Sequence, residues 1–211
     1  MQVDPKKVVR DGYDRIAESY LTARPGDGAD MALLGDLTQR LPSGAAVLDA
    51  GCGAGFPLSS DLTRRGFRVV GLDISACQLG LAQANLGARE LVQADLVDLP
   101  FGEASFDAVV SYYAIIHLPR SSHAGVFSEF HRVMRGGGVA LLCLGWTDNP
   151  ADHDPESWLG APMFWSHYDA DTNLRLLQES GFAIEWSREV LDPMDHASHQ
   201  FVLASTHSDA D

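Results

Sequence analysis

Residues 47–55 read Val-Leu-Asp-Ala-Gly-Cys-Gly-Ala-Gly, a run of buried-type strand residues that ends in glycines spaced one residue apart. Glycine lets a main chain turn sharply and approach a ligand where any Cβ would collide. The spacing decides what kind of turn this is. A dinucleotide fingerprint needs GxGxxG, and Phe56 stands where its third glycine belongs. A pyrophosphate on the following helix is therefore disfavoured, and a nicotinamide-dependent dehydrogenase is the weakest reading. What remains is GxGxG preceded by Asp49, then Pro57 and a helix with Leu58 and Leu62 inward.

The next apolar run ends in Gly71-Leu72-Asp73, placing an acid about 20 residues beyond the first glycine, where a carboxylate accepts hydrogen bonds from ribose hydroxyls. One run further, Gln93-Ala94-Asp95 repeats the arrangement, with Asp95 able to accept from an adenine amino group. Ligands of open α/β sheets bind outside the carboxyl ends of the strands. Asp49, Asp73 and Asp95 all fall there.

Around this centre, short apolar runs alternate with helical stretches, the pattern of βαβ units and a parallel sheet. Strands are expected near 45–50, 67–72, 90–94, 106–111 and 138–144, with helices near 57–65, 76–86 and 121–135. Residues 182–186 alternate apolar with polar and pair naturally with an antiparallel 200–204. Upstream, Asp4-Pro5 opens an amphipathic helix carrying Val9, Tyr13, Ile16 and Tyr20, and a second short helix follows from about Asp30. Residues 146–170 fit neither period, hold much of the chain's tryptophan, and read as a functional lid.

VLDAGCGAG, GLDIS, VQADLVDLPFGEASFDAVVS and HRVMRGGGVALL, in that order over residues 45–145, resemble the class I S-adenosylmethionine-dependent methyltransferases. The resemblance implies an α/β, Rossmann-like fold: a mostly parallel seven-stranded sheet with helices on both faces and an antiparallel last strand. It implies an N-terminal helical lid at 1–44, a core at 45–211, and an inserted substrate lid at about 146–170. S-adenosyl-L-methionine is the expected cofactor. Gly51, Gly53 and Gly55 would pack against its methionine and ribose parts, Asp73 would hold the ribose, and Ile74 would press on the adenine. Asp95 with Leu96 would read the adenine edge, Asp49 would orient the amino end, and Ser111 closes the fourth strand beside them. Tyr13 and Tyr20 resemble lid aromatics closing over the cofactor, although an apolar helix face suits core packing equally. Cys52 is better explained by small size at a crowded turn than by nucleophilic chemistry.

Transfer from a sulfonium is an in-line displacement that needs orientation and exclusion of water, so no covalent residue is required. Where the acceptor must lose a proton, His117, just past the fourth strand, is the candidate base, with a backbone-bonded helix cap as the alternative. Tyr112, Tyr113, Trp158, Met163, Trp165 and His167 are the candidate acceptor-binding set, and His153 and Tyr168 belong to the same aromatic and imidazole stretch. His196 and His199 read as solvated surface, and no metal is expected.

The remaining composition narrows the partners. The formal charge is −14, which repels nucleic acid and anionic membranes and leaves a small-molecule acceptor. Three widely spaced cysteines and no signal peptide point to reduced thiols in the cytoplasm. Two alternatives stay open: a protein that binds S-adenosylmethionine without transferring methyl, and a non-methylating enzyme such as a cyclase on the same scaffold. Oligomeric state, acceptor and the atom methylated are not legible.

Overall fold

The computed structural model describes residues 4–87 and 90–207, the side chains of 153–157 excepted. Helices run α1 (Pro5–Ala23), α2 (Ala29–Ala32), α3 (Leu34–Thr38), α4 (Leu58–Arg64), α5 (Ala76–Leu86), α6 (His123–Val133) and α7 (Ala170–Glu179). Strands run β1 (Ala46–Ala50), β2 (Arg68–Asp73), β3 (Glu90–Gln93), β4 (Phe106–Ser111), β5 (Met134–Gly145), β6 (Asn149–Trp158), β7 (Ala161–His167), β8 (Phe182–Leu191) and β9 (Ser198–Thr206). Seven of the strands form one sheet in the order β3-β2-β1-β4-β5-β9-β8. The first five are parallel, and β9 enters antiparallel between β5 and β8. This is the expected Rossmann-like sheet.

Burial on both faces explains why β1 reads as a continuous apolar run. Leu48 and Ala50 belong to the core of one face, with Phe127 and Phe130 of α6 and Leu177 of α7. Val47 turns to the other, with Leu58 and Leu62 of α4 and Leu34 and Leu37 of α3. The 1–44 segment therefore divides. α3 belongs to the core, whereas α1 lies over the strand tips.

The 146–170 stretch, which fits neither period in sequence, is largely an antiparallel β6–β7 hairpin. Register shifts between Asn149 and Asp152 and between Asp154 and Trp158 break the two-residue alternation, and Pro150 and Pro155 lie within β6. The hairpin rests on α1. Ala161, Met163 and Phe164 pack against Val9 and Ile16. The helices capped by Asp4 (α1), Ser75 (α5) and Asp169 (α7) begin as their sequences require, each cap accepting from a first-turn N–H. No described helix is long and apolar enough to cross a membrane.

Gly12 sits at the crossing of α1 and β7, where an added Cβ would collide with the Pro162 carbonyl oxygen. Alanine normally stabilises a helix interior by about 1 kcal/mol over glycine. Gly12→Ala is expected to do the opposite here, lowering the melting temperature by several degrees. A thermal melt that stays level or rises would show that α1 does not hold this contact.

Candidate functional site

At the carboxyl ends of β1, β2 and β4 the chain encloses a cavity of about 670 Å³, its open mouth included. The glycine loop forms the floor. Gly51 has φ of +88° and a Cβ there would collide with the Ala114 methyl, so only glycine fits the turn. The loop is tied to β2 by Gly51 and Cys52 N–H groups donating to the Leu72 carbonyl at 2.7 and 2.9 Å. Gly53 faces the cavity. Gly55 does not, since a Cβ there would press on Leu86 of α5; its need for glycine comes from helix packing.

Asp73 joins loop to helix. Its two oxygens accept from Gly53 N–H and Ser75 N–H, each at 2.8 Å. Burial pushes its carboxyl up, and those N–H groups pull it back toward the ionised form. Ile74 and Leu96 line the same wall. Asp95 lies beside them with its oxygens engaged, one accepting from Val97 N–H at 3.1 Å and the other paired with Lys6 of α1 at 2.6 Å. Both partners are about three-tenths exposed, so the pair contributes under about 1 kcal/mol and yields readily to a ligand.

Asp49 is almost completely buried beneath the loop. The Ser59 hydroxyl donates to its Oδ2 at 2.5 Å, and Oδ1 has no partner. Burial raises its carboxyl from the ordinary 3.8 to about 7, the Ser59 hydrogen bond opposing the rise. It borders a second recess of about 480 Å³ that shares Tyr20, Gly51, Gly53, Tyr112 and Tyr113 with the main cavity. Ser111 stands apart from both. Its buried hydroxyl donates to the Ala50 carbonyl at 2.7 Å and supports the loop from below.

The roof is α1. Asp14 accepts from the Ser75 hydroxyl at 2.5 Å and Cys77 N–H at 3.1 Å, placing a carboxylate at the positive end of α5. Tyr13 reaches His117 at 2.9 Å, and the other ring nitrogen of His117 lies 2.8 Å from the Phe164 carbonyl of β7. A carbonyl only accepts, so Nδ1 carries the proton and Nε2 accepts from the Tyr13 hydroxyl. Burial lowers His117 to about 4, against the Phe164 bond, and keeps the ring neutral at physiological pH. His117 thus bonds to backbone through Nδ1, as a cap would, and still presents Nε2 as a lone-pair acceptor at the cavity wall.

Tyr20 lines the cavity edge-on to Tyr13 at 5.3 Å, and burial raises its phenol to about 12. Tyr112 and Tyr113 also line it, but their hydroxyls are spent elsewhere, donating to the Asp30 carbonyl at 3.0 Å and the Asp30 carboxylate at 3.2 Å. That carboxylate pairs with Arg24, whose guanidinium also meets Asp192 and lies 4.2 Å over the Tyr113 ring. Trp158 and Trp165 form a second layer behind the cavity, Trp165 at 5.7 Å from the His117 ring. Met163 is fully buried against α1, and His167 donates from Nδ1 to the Thr147 carbonyl at 2.7 Å; neither borders the cavity. Tyr168 stacks under Arg120, away from it, and His153 falls outside the described side chains. His199, expected at the surface, is buried 5.1 Å from the Tyr113 ring because β9 runs through the sheet interior. Among the described residues, no group of three or more His, Cys, Asp or Glu is arranged to hold a metal ion.

Sequence reading missed Lys6, Asp14, Gln78 and the Arg24–Asp30–Asp192 group. Only Gln78 carried a local signal, standing three residues after the helix cap Ser75.

A family model described as "Methyltransferase domain" matches residues 48–142. An uncharacterised methyltransferase of Synechocystis is 33% identical over 153 residues, covering 67% of this chain and 68% of that one. A malonyl-[acyl-carrier protein] O-methyltransferase of Pseudescherichia vulneris is 35% identical over 161 residues, 75% of this chain and 61% of that one. In structure, the Burkholderia thailandensis 1,6-didemethyltoxoflavin-N1-methyltransferase, solved with its acceptor and S-adenosylhomocysteine, superposes with a TM-score of 0.74 over 99% of this chain and 92% of that one, at 20% identity.

Asp49 makes a pH-dependent prediction for the ligand-free protein. Its folded value, near 7, exceeds its unfolded one, so the folded state holds the extra proton between about pH 4 and 7 and loses stability as pH rises through that window. Asp49→Asn removes this term. The stability difference between variant and wild type, from urea unfolding, should grow in the variant's favour from pH 4 to 8; a constant difference would place Asp49 in water rather than beneath the loop.

Proposed function

The chain belongs to the S-adenosylmethionine-dependent methyltransferase family, and on that premise we propose that it transfers the methyl group to a small-molecule acceptor held under α1 and the β6–β7 hairpin. One observation carries the reading: a single cavity runs from the acid-tipped strands to the ring of His117, with tyrosines closing it. The residues fit the cofactor. Gly53 offers backbone to its chain, Asp73 offers acceptors to its ribose, and Ile74, Asp95 and Leu96 border the adenine place. The unpartnered Oδ1 of Asp49 suits its ammonium, directly or through water.

When bound, S-adenosylmethionine supplies a methyl already activated on a sulfonium. The protein's tasks are to orient the acceptor, exclude water and take up a proton where one must leave. Tyr13, Tyr20, Tyr112 and Tyr113 enclose the transfer region, with Trp158 and Trp165 stiffening it from behind. A proton leaving the acceptor reaches Nε2 of His117 through the Tyr13 hydroxyl, which accepts it while passing its own hydrogen on. Protonated His117 then leaves the net charge of the site unchanged across the transfer, which offsets the burial that otherwise disfavours the imidazolium.

The acceptor carries no negative charge on this reading, since Arg24 is committed to two carboxylates and the chain is strongly acidic. The same acidity supports a partner other than nucleic acid. Three free cysteines suit a reducing compartment, and we place the chain in the cytoplasm.

Calorimetric titration with S-adenosylmethionine should show micromolar or tighter binding, and Asp73→Ala should weaken it by about 1–3 kcal/mol. With an acceptor found by following S-adenosylhomocysteine release, His117→Gln should lower kcat about 100-fold and leave cofactor affinity within a few-fold. Full-rate turnover by that variant would remove His117 from the proton path. S-adenosylhomocysteine forming without a methylated product would sink the transferase reading.

A further inference from the structure

Tyr113 has a backbone φ of +55°, in the left-handed region that a bulky aromatic residue rarely adopts. It stands just past the end of β4, where the chain turns from the sheet toward His117, and the same turn sets the Ala114 methyl against Gly51. Backbone of this kind persists only where the surroundings hold it. At Tyr113 the hold is on the side chain. Its hydroxyl donates to the Asp30 carboxylate at 3.2 Å, its ring meets His199 and Phe201 edge-on at 5.1 and 6.0 Å, and the guanidinium carbon of Arg24 lies 4.2 Å from the ring centre.

Arg24 is itself fixed from two sides. One guanidinium nitrogen pairs with Asp30 of α2, and the other meets Asp192, just beyond β8, at 3.3 Å. Asp192 is steadied in turn by Met194 N–H, which donates to it at 2.8 Å. All three side chains are buried, Arg24 at 7% exposure being the least so. A buried ion-pair group is weak evidence of stability, because apolar residues of similar volume often serve as well; what it fixes is one geometry. The planar fork suits that task, since it reaches two acids at once and still lays a flat cation on an aromatic ring, which a lysine ammonium does not do.

We propose that Arg24 is a positioning residue for the methyl transfer: by holding the Tyr113 ring it fixes the left-handed turn through which the chain passes from β4 to His117. Arg24 does not line the main cavity and acts only through the tyrosine, which does. The end of α1, α2 and the turn after β8 thereby set the wall of the transfer region, although none of them carries a reacting group. The inference rests on the transferase reading above and adds to it a residue that works from outside the main cavity.

The test uses Arg24→Lys, which keeps a positive charge beside both acids and loses the fork. Its affinity for S-adenosylhomocysteine, by calorimetry, should stay within about threefold of wild type. With an acceptor found by following S-adenosylhomocysteine release, its kcat should fall about tenfold or more, since a small misplacement at the reacting centre is costly. In a Tyr113→Gly background, where glycine suits the turn and the ring is gone, the same change should alter kcat by about twofold or less. A tenfold loss that persists in that background overturns the proposal, as does an unchanged kcat for Arg24→Lys alone. Affinity that falls tenfold would make Arg24 a cofactor ligand and overturn it equally. Should the Tyr113→Gly chain fail to fold, a crystal structure of Arg24→Lys decides: a Tyr113 ring displaced from Asp30 supports the proposal, and a ring in its wild-type place overturns it. Wild type that binds no S-adenosylhomocysteine would overturn the transferase reading itself, whereas normal wild-type binding with a full-rate variant overturns only the role of Arg24.

Discussion

The imidazole of His117 is bonded at both nitrogens, to the Tyr13 hydroxyl on α1 and to the Phe164 carbonyl on β7, and the arrangement of the site follows from that pair of bonds. The histidine itself sits just past β4, at the edge of the sheet's ligand end. Through one ring, three pieces of chain far apart in sequence become one wall. The carbonyl dictates the tautomer, the tautomer makes Nε2 an acceptor, and the acceptor orients the tyrosine. Burial keeps the ring neutral, so both bonds persist across physiological pH.

α1 is held over the cavity by contacts of different strength. The apolar seam of Val9 and Ile16 with the hairpin and the Asp14 carboxylate at the start of α5 are sheltered or charge-assisted, and they set its position. The Lys6–Asp95 pair at the first turn of α1 is about three-tenths exposed and weak. α1 is therefore fastened firmly at its middle and loosely at its first turn.

Among the described residues, Asp49 and Gln78 border the two recesses with buried side-chain atoms that have no protein partner. Contrast Ser111 and Arg24, equally buried, whose groups are satisfied internally. Ser111 and Gly55 thus support the loop and do not line the cavity.

The parallel sheet, the glycine turn and the strand-end acids were legible in the chain alone because each depends on residues adjacent in sequence: a doubly buried strand reads as an apolar run, and a turn that excludes Cβ reads as glycine. The hairpin was not legible, since its register shifts and prolines erase the alternation that marks a strand. The burial of His199, the pairing of Arg24 with Asp192 and the tautomer of His117 were decided only by tertiary structure. In each case the partner, or the competitor for a partner, comes from another element, and hydrogen bonding and desolvation are set by what the fold brings within about 3 Å, not by sequence spacing.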